Sequence, residues 1–176
     1  MCIRDSVNYD MDVFAVLLEI DEYQHSRYDK MCEFVRQGKI ALSYGGKSVR
    51  FIRYNPDLFR VAGVRQRLWE DDRMCLLLGH LQKIFVDNSW IYQDEAKTSL
   101  NFMLVDYICY DPIVPGTAGG LVQTFKFATV EEYEAWAEMV APGVAEDGGG
   151  HCFSFFLEYF VKSKQKHSSR HFCCWR

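Results

Sequence analysis

Residues 13–25 have the sequence VFAVLLEIDEYQH, in which an apolar run leads directly into a group of acids and amides. Six apolar residues precede Glu19 without polar alternation. This pattern predicts a strand that is buried on both faces. Because strand side chains alternate, Glu19 and Asp21 are expected to project on the same side of the strand's end. The stretch therefore predicts a central strand with two carboxylates at its carboxyl end.

The segments after this strand predict a helix and a second strand. Ser26 is the candidate N-cap of a helix that extends to about Gly38. Residues 49–54 (VRFIRY) predict a strand that stops at the turn Asn55-Pro56-Asp57. A strand–helix–strand unit of this length makes its two strands parallel neighbours in a sheet.

The rest of the chain continues the α/β pattern. The further predicted elements are a helix over residues 71–86, strands over 100–110 and 121–127, and a helix from the capping box at Thr129 to Val140. Residues 7–142 are therefore predicted to form one α/β domain. A Gly-containing linker and a tail of unassigned role follow as residues 143–176.

The composition is that of a chain that buries a core, since 49% of the residues are hydrophobic and 15% are aromatic. No apolar run reaches the roughly 18 to 20 residues that span a bilayer, so no membrane partner is expected. The seven cysteines are scattered without a CxxC pair, which argues against a disulfide framework or a zinc ribbon. A reducing, intracellular setting is therefore expected, in the cytoplasm or nucleus of a host cell.

The charge is distributed unevenly along the chain, although the formal net charge is only −4. Ten basic residues fall between Arg27 and Arg67, against three acids, whereas fourteen acids and four basic residues fall between Glu70 and Asp147. A basic segment beside an acidic one can present a surface that attracts phosphate. The alternative is an ordinary solvated surface, and charge alone does not decide between them.

The acids that follow the apolar run are candidate metal ligands. Two carboxylates at the end of a buried strand are costly unless water or a cation compensates them. Hard oxygen donors suit Mg²⁺ or Mn²⁺, with Glu19, Asp21 and Glu22 as ligands. The alternative is that the acids face solvent. His25 is a candidate general base, or a group that orients a water, and its alternative is a surface or capping role.

The run LLEIDEYQHSRYDKMCEFVR (residues 17–36), followed by VRFIRYNPD (residues 49–57), resembles a family from large DNA viruses and algae. That family is similar to very-short-patch-repair endonucleases, within the PD-(D/E)xK restriction-endonuclease-like superfamily. Its signature Glu-x-Asp-Glu-x-Gln-His matches the chain from Glu19 to His25. The helix residues Cys32, Glu33 and Arg36 and the strand end Phe51–Asp57 also match, and the resemblance covers roughly residues 10–140.

The resemblance implies metal-dependent hydrolysis of DNA phosphodiester bonds on a restriction-endonuclease-like mixed sheet flanked by helices. Glu19 and Asp21 would lie at the ion, with Gln24 or His25 assisting. The candidate DNA contacts are Arg36, Arg50 and Arg53. For Arg36 and Arg53 the alternative is a structural ion pair with Glu33 or Asp57. Asn55 and Asp57 are expected to shape the turn after the strand.

The chain departs from the family at its N-terminal end. The superfamily's first acid belongs to a Pro-Asp on the preceding strand of a hairpin, and no proline precedes Pro56 here. Asp12 would be about 23 Å from Glu19 on one extended strand, too far to share an ion. Residues 1–6 (MCIRDS) are interpreted as a non-native leader, and one or two N-terminal strands as missing. The chain is therefore expected to be a weak or inactive nuclease, and the alternative function is a nucleic-acid-binding module without catalysis.

Overall fold

The structure, a computed structural model, describes residues 6–25, 29–87, 89–95 and 99–141. Most of the predicted leader, the predicted tail (143–176) and the side chain of His25 lie outside this part of the chain.

The described chain is a single α/β unit of seven strands and three α-helices, with short 3-10 turns at Glu22–His25 and Ser89–Ile91. In chain order the elements are β1 (Ser6–Asp10), β2 (Phe14–Ile20), α1 (Lys30–Ser43), β3 (Ser48–Tyr54), β4 (Arg60–Val61), β5 (Val64–Arg65), α2 (Glu70–Val86), β6 (Met103–Ile108), β7 (Val122–Phe127) and α3 (Val130–Val140). None of these helices is long and apolar enough to cross a membrane.

Five strands form one mixed sheet in the order β1-β2-β3-β6-β7. The three central strands are parallel, whereas β1 and β7 run antiparallel to their neighbours at the two edges. The predicted parallel pair on either side of α1 is confirmed as β2 and β3. All residues of β3 and β6 are buried, as expected for central strands covered on both faces.

Helices cover both faces of the sheet. On one face α1 and α3 pack over a core that includes Phe34, Phe51 and Tyr133. On the other face α2 packs over a second core around Ile52 and Leu77. Odd-numbered residues of β2 and β3 point to the α1/α3 side, because strand side chains alternate. That alternation places each polar residue at the strand ends on either the α1/α3 face or the α2 face of the sheet.

The first helix differs from its prediction at both ends. It begins at Lys30 rather than after Ser26, because the side chain of Asp29 accepts the cap hydrogen bond from the backbone N of Cys32 at 2.9 Å. It continues past Gly38 to Ser43, because Gly38 and Ala41 extend the buried stripe below it. At α3 the predicted N-cap is confirmed, since the Thr129 hydroxyl accepts from the backbone N of Glu132 at 3.3 Å. The second bond of the predicted capping box differs, because the Glu132 carboxylate accepts from the backbone N of Ala128 rather than from that of Thr129.

Two hairpins were not predicted from the sequence. Strand β1 pairs antiparallel with β2 and sets Ser6 directly across from Glu19. The two-residue strands β4 and β5 form a small separate hairpin between β3 and α2. The two residues of β4 and of β5 are too few to give an alternating pattern. For β1 a signal was available, since its sequence SVNYD alternates between polar and apolar residues.

Candidate functional site

The candidate site lies where the three parallel strands end. Glu19 of β2 is the register partner of Arg53 of β3, which is in turn the partner of Tyr107 of β6. All three are odd-numbered and point to the α1/α3 side of the sheet. Asp21 follows one residue beyond β2, and its backbone N donates to the carbonyl of Tyr54 at 2.8 Å. The alternation expected for Glu19 and Asp21 therefore places both carboxylates on the α1/α3 side of the sheet, at the carboxyl end of β2.

Arg53 is the centre of a buried ion-pair network. Its Nε donates to Oδ2 of Asp21, and it lies 3.8 Å from Oε2 of Glu19. Nη2 of Arg53 donates to Oε2 of Glu33, on the first turn of α1, at 3.5 Å. Asp21 is completely buried and Arg53 is 4% exposed. Charges this deep in a protein require compensation by neighbouring charges, and here they compensate one another.

A second arginine, on helix α1, joins the same network. Arg36 of α1 donates to Oε2 of Glu19 at 2.7 Å and lies 3.4 Å from Oε2 of Glu33. Glu33 and Arg36 are three residues apart on the helix, a spacing that puts them on one face. Two arginines therefore hold three carboxylates. For Arg36 and Arg53 the ion pair with Glu33 that the sequence left open is present, and neither arginine pairs with Asp57 among the described contacts.

The protonation states follow from burial and from this network. Burial alone would lower the pKa of Arg53, but the neighbouring Tyr110 and Asp21 hold that pKa well above its ordinary value. Burial raises the pKa of Tyr110 well above its usual range and raises the pKa of Tyr107 to about 12. Tyr110 is therefore a neutral phenol that donates its hydroxyl to Oδ2 of Asp21. The guanidinium of Arg53 is a permanent cation in the floor of the site.

The turn after β2 is held in an unusual backbone conformation. Tyr23 and Gln24 have φ values of 54° and 53°, which non-glycine residues rarely adopt. The carboxylate of Asp57 accepts from the backbone N of Tyr23 at 2.6 Å. Gln24 accepts from the backbone N of Asp111 at 3.0 Å through Oε1. Gln24 therefore connects two loops at the strand ends, and Glu22, which begins the turn, is exposed.

Asn55 and Asp57 shape the loop after β3, as predicted. The side-chain amide of Asn55 donates to the carbonyl of Cys109 at 2.7 Å, and its Oδ1 accepts from the backbone N of Asp57 at 3.0 Å. Asn55 is completely buried, so these bonds satisfy polar atoms that water does not reach.

The described residues do not fit a resident Mg²⁺ or Mn²⁺ ion. Glu19 and Asp21 have the right donor chemistry, but each is engaged by an arginine, and Glu22 is exposed rather than directed to them. Across the described residues, no group of three His, Cys, Asp or Glu side chains is arranged to hold a metal. A cation at this point would compete with the guanidinium groups for the same oxygens.

Arg50, the third predicted DNA contact, lies on the opposite side of the sheet. It is even-numbered on β3, 7% exposed, and its Nε donates to Oδ2 of Asp106 at 2.6 Å. Its guanidinium also lies over the ring of Trp90, 5.1 Å from the centroid. His80 of α2 is 3.0 Å from the same carboxylate oxygen, and the hydroxyl of Thr124 donates to Oδ1 at 2.6 Å. The structure therefore places Arg50 in a buried cluster that joins α2 to the sheet, away from Glu19 and Asp21.

We expect Asp106→Asn to destabilise the chain by at least about 2 kcal/mol at pH 7, because it leaves the cation of Arg50 buried without its counter-charge. Burial by itself would raise the pKa of Asp106, but hydrogen bonds from His80, Arg50 and Thr124 outweigh it and lower that pKa. Stability from this carboxylate is thus present above about pH 4 and disappears as the pH falls through the lowered folded-state pKa.

Urea unfolding of both proteins at neutral and acidic pH tests this prediction. The two unfolding free energies should converge in acid, and exposed Asp12→Asn should stay within about 0.5 kcal/mol of the parent throughout. A constant difference between Asp106→Asn and the parent at every pH would contradict the assigned role of the carboxylate.

A large cleft opens beside the network. Its volume is about 1050 Å³, and Glu33, Arg53, Tyr107 and Tyr110 line its floor. The rim carries both signs of charge and two exposed aromatic rings: the cations Lys30, Arg67 and Arg73, the acids Asp57, Glu70 and Asp111, and the rings of Tyr23 and Trp69. Trp69 is 80% exposed and Tyr23 is 70% exposed, which is unusual for such large rings without a partner.

No family model, curated protein or solved structure matches this chain. The resemblance to restriction-endonuclease-like proteins therefore stays a prediction. What is established independently of it is an α/β fold with a mixed five-stranded sheet flanked by helices.

Several residues of the site were not identified from the sequence. Tyr110 contacts Asp21 across 89 positions of the chain, and no local pattern predicts such a contact. Arg67 and Trp69 reach the cleft only because the small hairpin directs the chain back toward the strand ends. Glu33, in contrast, was identified as a possible ion-pair partner of Arg36 and Arg53, and its spacing of three residues from Arg36 supports that pairing.

Proposed function

We propose that this chain is a DNA-binding domain of restriction-endonuclease-like architecture, in which the strand-end acids form a structural ion-pair network instead of a working metal centre. The observation that carries this proposal is that Arg36 and Arg53 engage Glu19, Asp21 and Glu33. The two guanidinium groups balance most of the negative charge of the three carboxylates within the protein. A cation would have to displace these arginines from Oε2 of Glu19, Oδ2 of Asp21 and Oε2 of Glu33.

The cleft supports the binding part of the proposal. The cations of its rim, Lys30, Arg67 and Arg73, suit phosphate groups, since guanidinium and ammonium groups release counterions from DNA when they bind it. Its exposed rings, Tyr23 and Trp69, suit the faces of nucleobases or the edges of sugars. These cations and rings together favour an extended anionic ligand with planar groups.

The second candidate function is metal-dependent hydrolysis of DNA, with Mg²⁺ or Mn²⁺. It is favoured by the common orientation of Glu19 and Asp21, whose partner Arg53 lines the cleft, and by the Glu-x-Asp-Glu-x-Gln-His resemblance. It ranks second because the two carboxylates are engaged by arginines and lack a third donor among the described residues. A role in DNA repair would follow from the resemblance alone.

Binding to a fluorescein-labelled DNA duplex, followed by anisotropy, tests the first proposal. We expect the chain to bind the duplex in the presence of EDTA, and the Glu19→Gln variant to bind it as well. The logarithm of the association constant should decrease linearly with the logarithm of the salt concentration. The cleft supplies the binding energy in this account, and the acids do not.

A plasmid-nicking assay on the same proteins separates the two functions. The first proposal expects no nicking with Mg²⁺, Mn²⁺ or EDTA. Nicking that needs metal and is lost in Glu19→Gln would establish the second function instead. Absence of any salt-dependent DNA binding would remove the first.

A further inference from the structure

The small β4–β5 hairpin, Arg60–Val61 and Val64–Arg65, is built around an unfavourable charge pair. Arg60 and Arg65 are direct cross-strand partners. Like charges placed directly opposite on a two-stranded ribbon repel each other and destabilise it. Both arginines are exposed, and neither makes an ion pair with an acid in the described part of the chain. Both guanidinium groups are therefore available to bind an anion from outside.

The hairpin is nonetheless held in a fixed position. Its two-residue turn has φ values of 50° at Ala62 and 76° at Gly63, the geometry of a tight turn with both central residues left-handed. The backbone N of Ala62 donates to the carbonyl of Ala118 at 2.6 Å. The backbone N of Arg60 donates to the carboxylate of Asp111, also at 2.6 Å. The carboxylate of Asp111 therefore anchors the strand through its backbone amide.

The hairpin also stands beside the cleft. Phe59, immediately before it, is 2% exposed and belongs to the core under α2, so the hairpin starts from a rigid base. Immediately after it, Arg67 and Trp69 form part of the cleft rim. The four basic and aromatic side chains at positions 60, 65, 67 and 69 therefore belong to one short segment at the edge of the cleft.

We propose that the β4–β5 hairpin is an arm that grips double-stranded DNA beside the cleft, with Arg60 and Arg65 each binding a backbone phosphate. The proposal rests on the DNA-binding function proposed above. A two-stranded ribbon fits the major groove, which is about 12 Å wide. Two phosphates bound by the opposed guanidinium groups would relieve the repulsion between them. The arm carries no acidic residue between Arg60 and Arg67 that would repel the DNA backbone.

The test compares two double variants that remove the same charge. The first is Arg60→Gln with Arg65→Gln. The matched control is Lys83→Gln with Lys126→Gln, which removes two exposed cations from α2 and β7. The affinity of the full chain for a labelled duplex is measured by anisotropy over a series of salt concentrations.

We expect the hairpin variant to bind at least about tenfold more weakly than the parent. The negative slope of log affinity against log salt concentration should become shallower by about 2, because two phosphate contacts are lost. The control should keep the parent's slope. The urea midpoint of the hairpin variant should equal or exceed that of the parent, because the repulsive pair is gone. Weak binding then cannot be attributed to unfolding.

Two different failures remain distinguishable. If the parent binds DNA and the hairpin variant keeps the parent's affinity and slope, the hairpin does not contact DNA, but the proposed DNA-binding function is retained. If the parent shows no salt-dependent binding to the duplex, the proposed function itself fails, and the arm fails with it.

Discussion

Arg53→Met is expected to lower the free energy of unfolding by about 3–5 kcal/mol, since it removes one partner from a buried ion-pair network. Methionine keeps most of the volume of the side chain but none of its charge. Glu19, Asp21 and Glu33 would then have Arg36 as the remaining cation among the observed contacts. Asp21 is completely buried, so water cannot replace the lost partner.

Urea denaturation at neutral pH measures this effect. Arg67→Met provides the control, because it removes an exposed cation from the rim of the same cleft and should change stability by no more than about 0.5 kcal/mol. The double variant Asp21→Leu with Arg53→Met should be more stable than Arg53→Met alone, because the unpaired buried carboxylate is removed as well. An Arg53→Met protein within about 1 kcal/mol of the parent would show that the network is not a structural requirement.

Under the second candidate function, Ser6→Asp is expected to convert the chain into a protein that nicks supercoiled plasmid in the presence of Mg²⁺ or Mn²⁺. Position 6 on β1 is the direct cross-strand partner of Glu19 on β2. The register therefore makes position 6 the place on β1 at which a third acid would lie opposite Glu19. The additional negative charge would favour a divalent cation over the two arginines.

Val7→Asp is the matched control, since it adds the same charge one position along β1, where strand alternation directs the side chain to the other face. It should leave the parent's behaviour unchanged. Adding Glu19→Gln to Ser6→Asp should abolish the acquired nicking. If Ser6→Asp binds DNA but does not nick it, or if Val7→Asp nicks equally well, Glu19 and Asp21 are not the core of a nuclease centre that lacks one acid.

The sequence predicted the elements that carry strong periodic or continuous patterns. The apolar run before Glu19 gave a buried strand, and the strand–helix–strand unit gave two parallel neighbours, as found for β2, α1 and β3. The capping box at Thr129 located the start of α3 correctly. In each case local physics alone, namely burial, alternation or a cap hydrogen bond, is sufficient to specify the element.

The sequence was less reliable where the determining contact is distant. The start of α1 was placed at Ser26, but Asp29 caps the helix. The β4–β5 hairpin was missed because strands of two residues have too few positions to establish a period. Strand β1 was missed although its sequence SVNYD alternates between polar and apolar residues. Arg50, Arg53 and Arg36 looked alike as basic residues of one segment. Strand alternation and packing put Arg50 on the α2 side, in a cluster with Asp106.

By itself, then, the sequence determined that a buried strand ends in Glu19 and Asp21 with both carboxylates on one side, because alternation is a property of any strand. Only the tertiary structure decided what those carboxylates meet. Arg53 comes from the neighbouring strand, Tyr110 from a position 89 residues away, and Arg36 from the helix above. A buried charge is defined by its partners, and the fold brings those partners together.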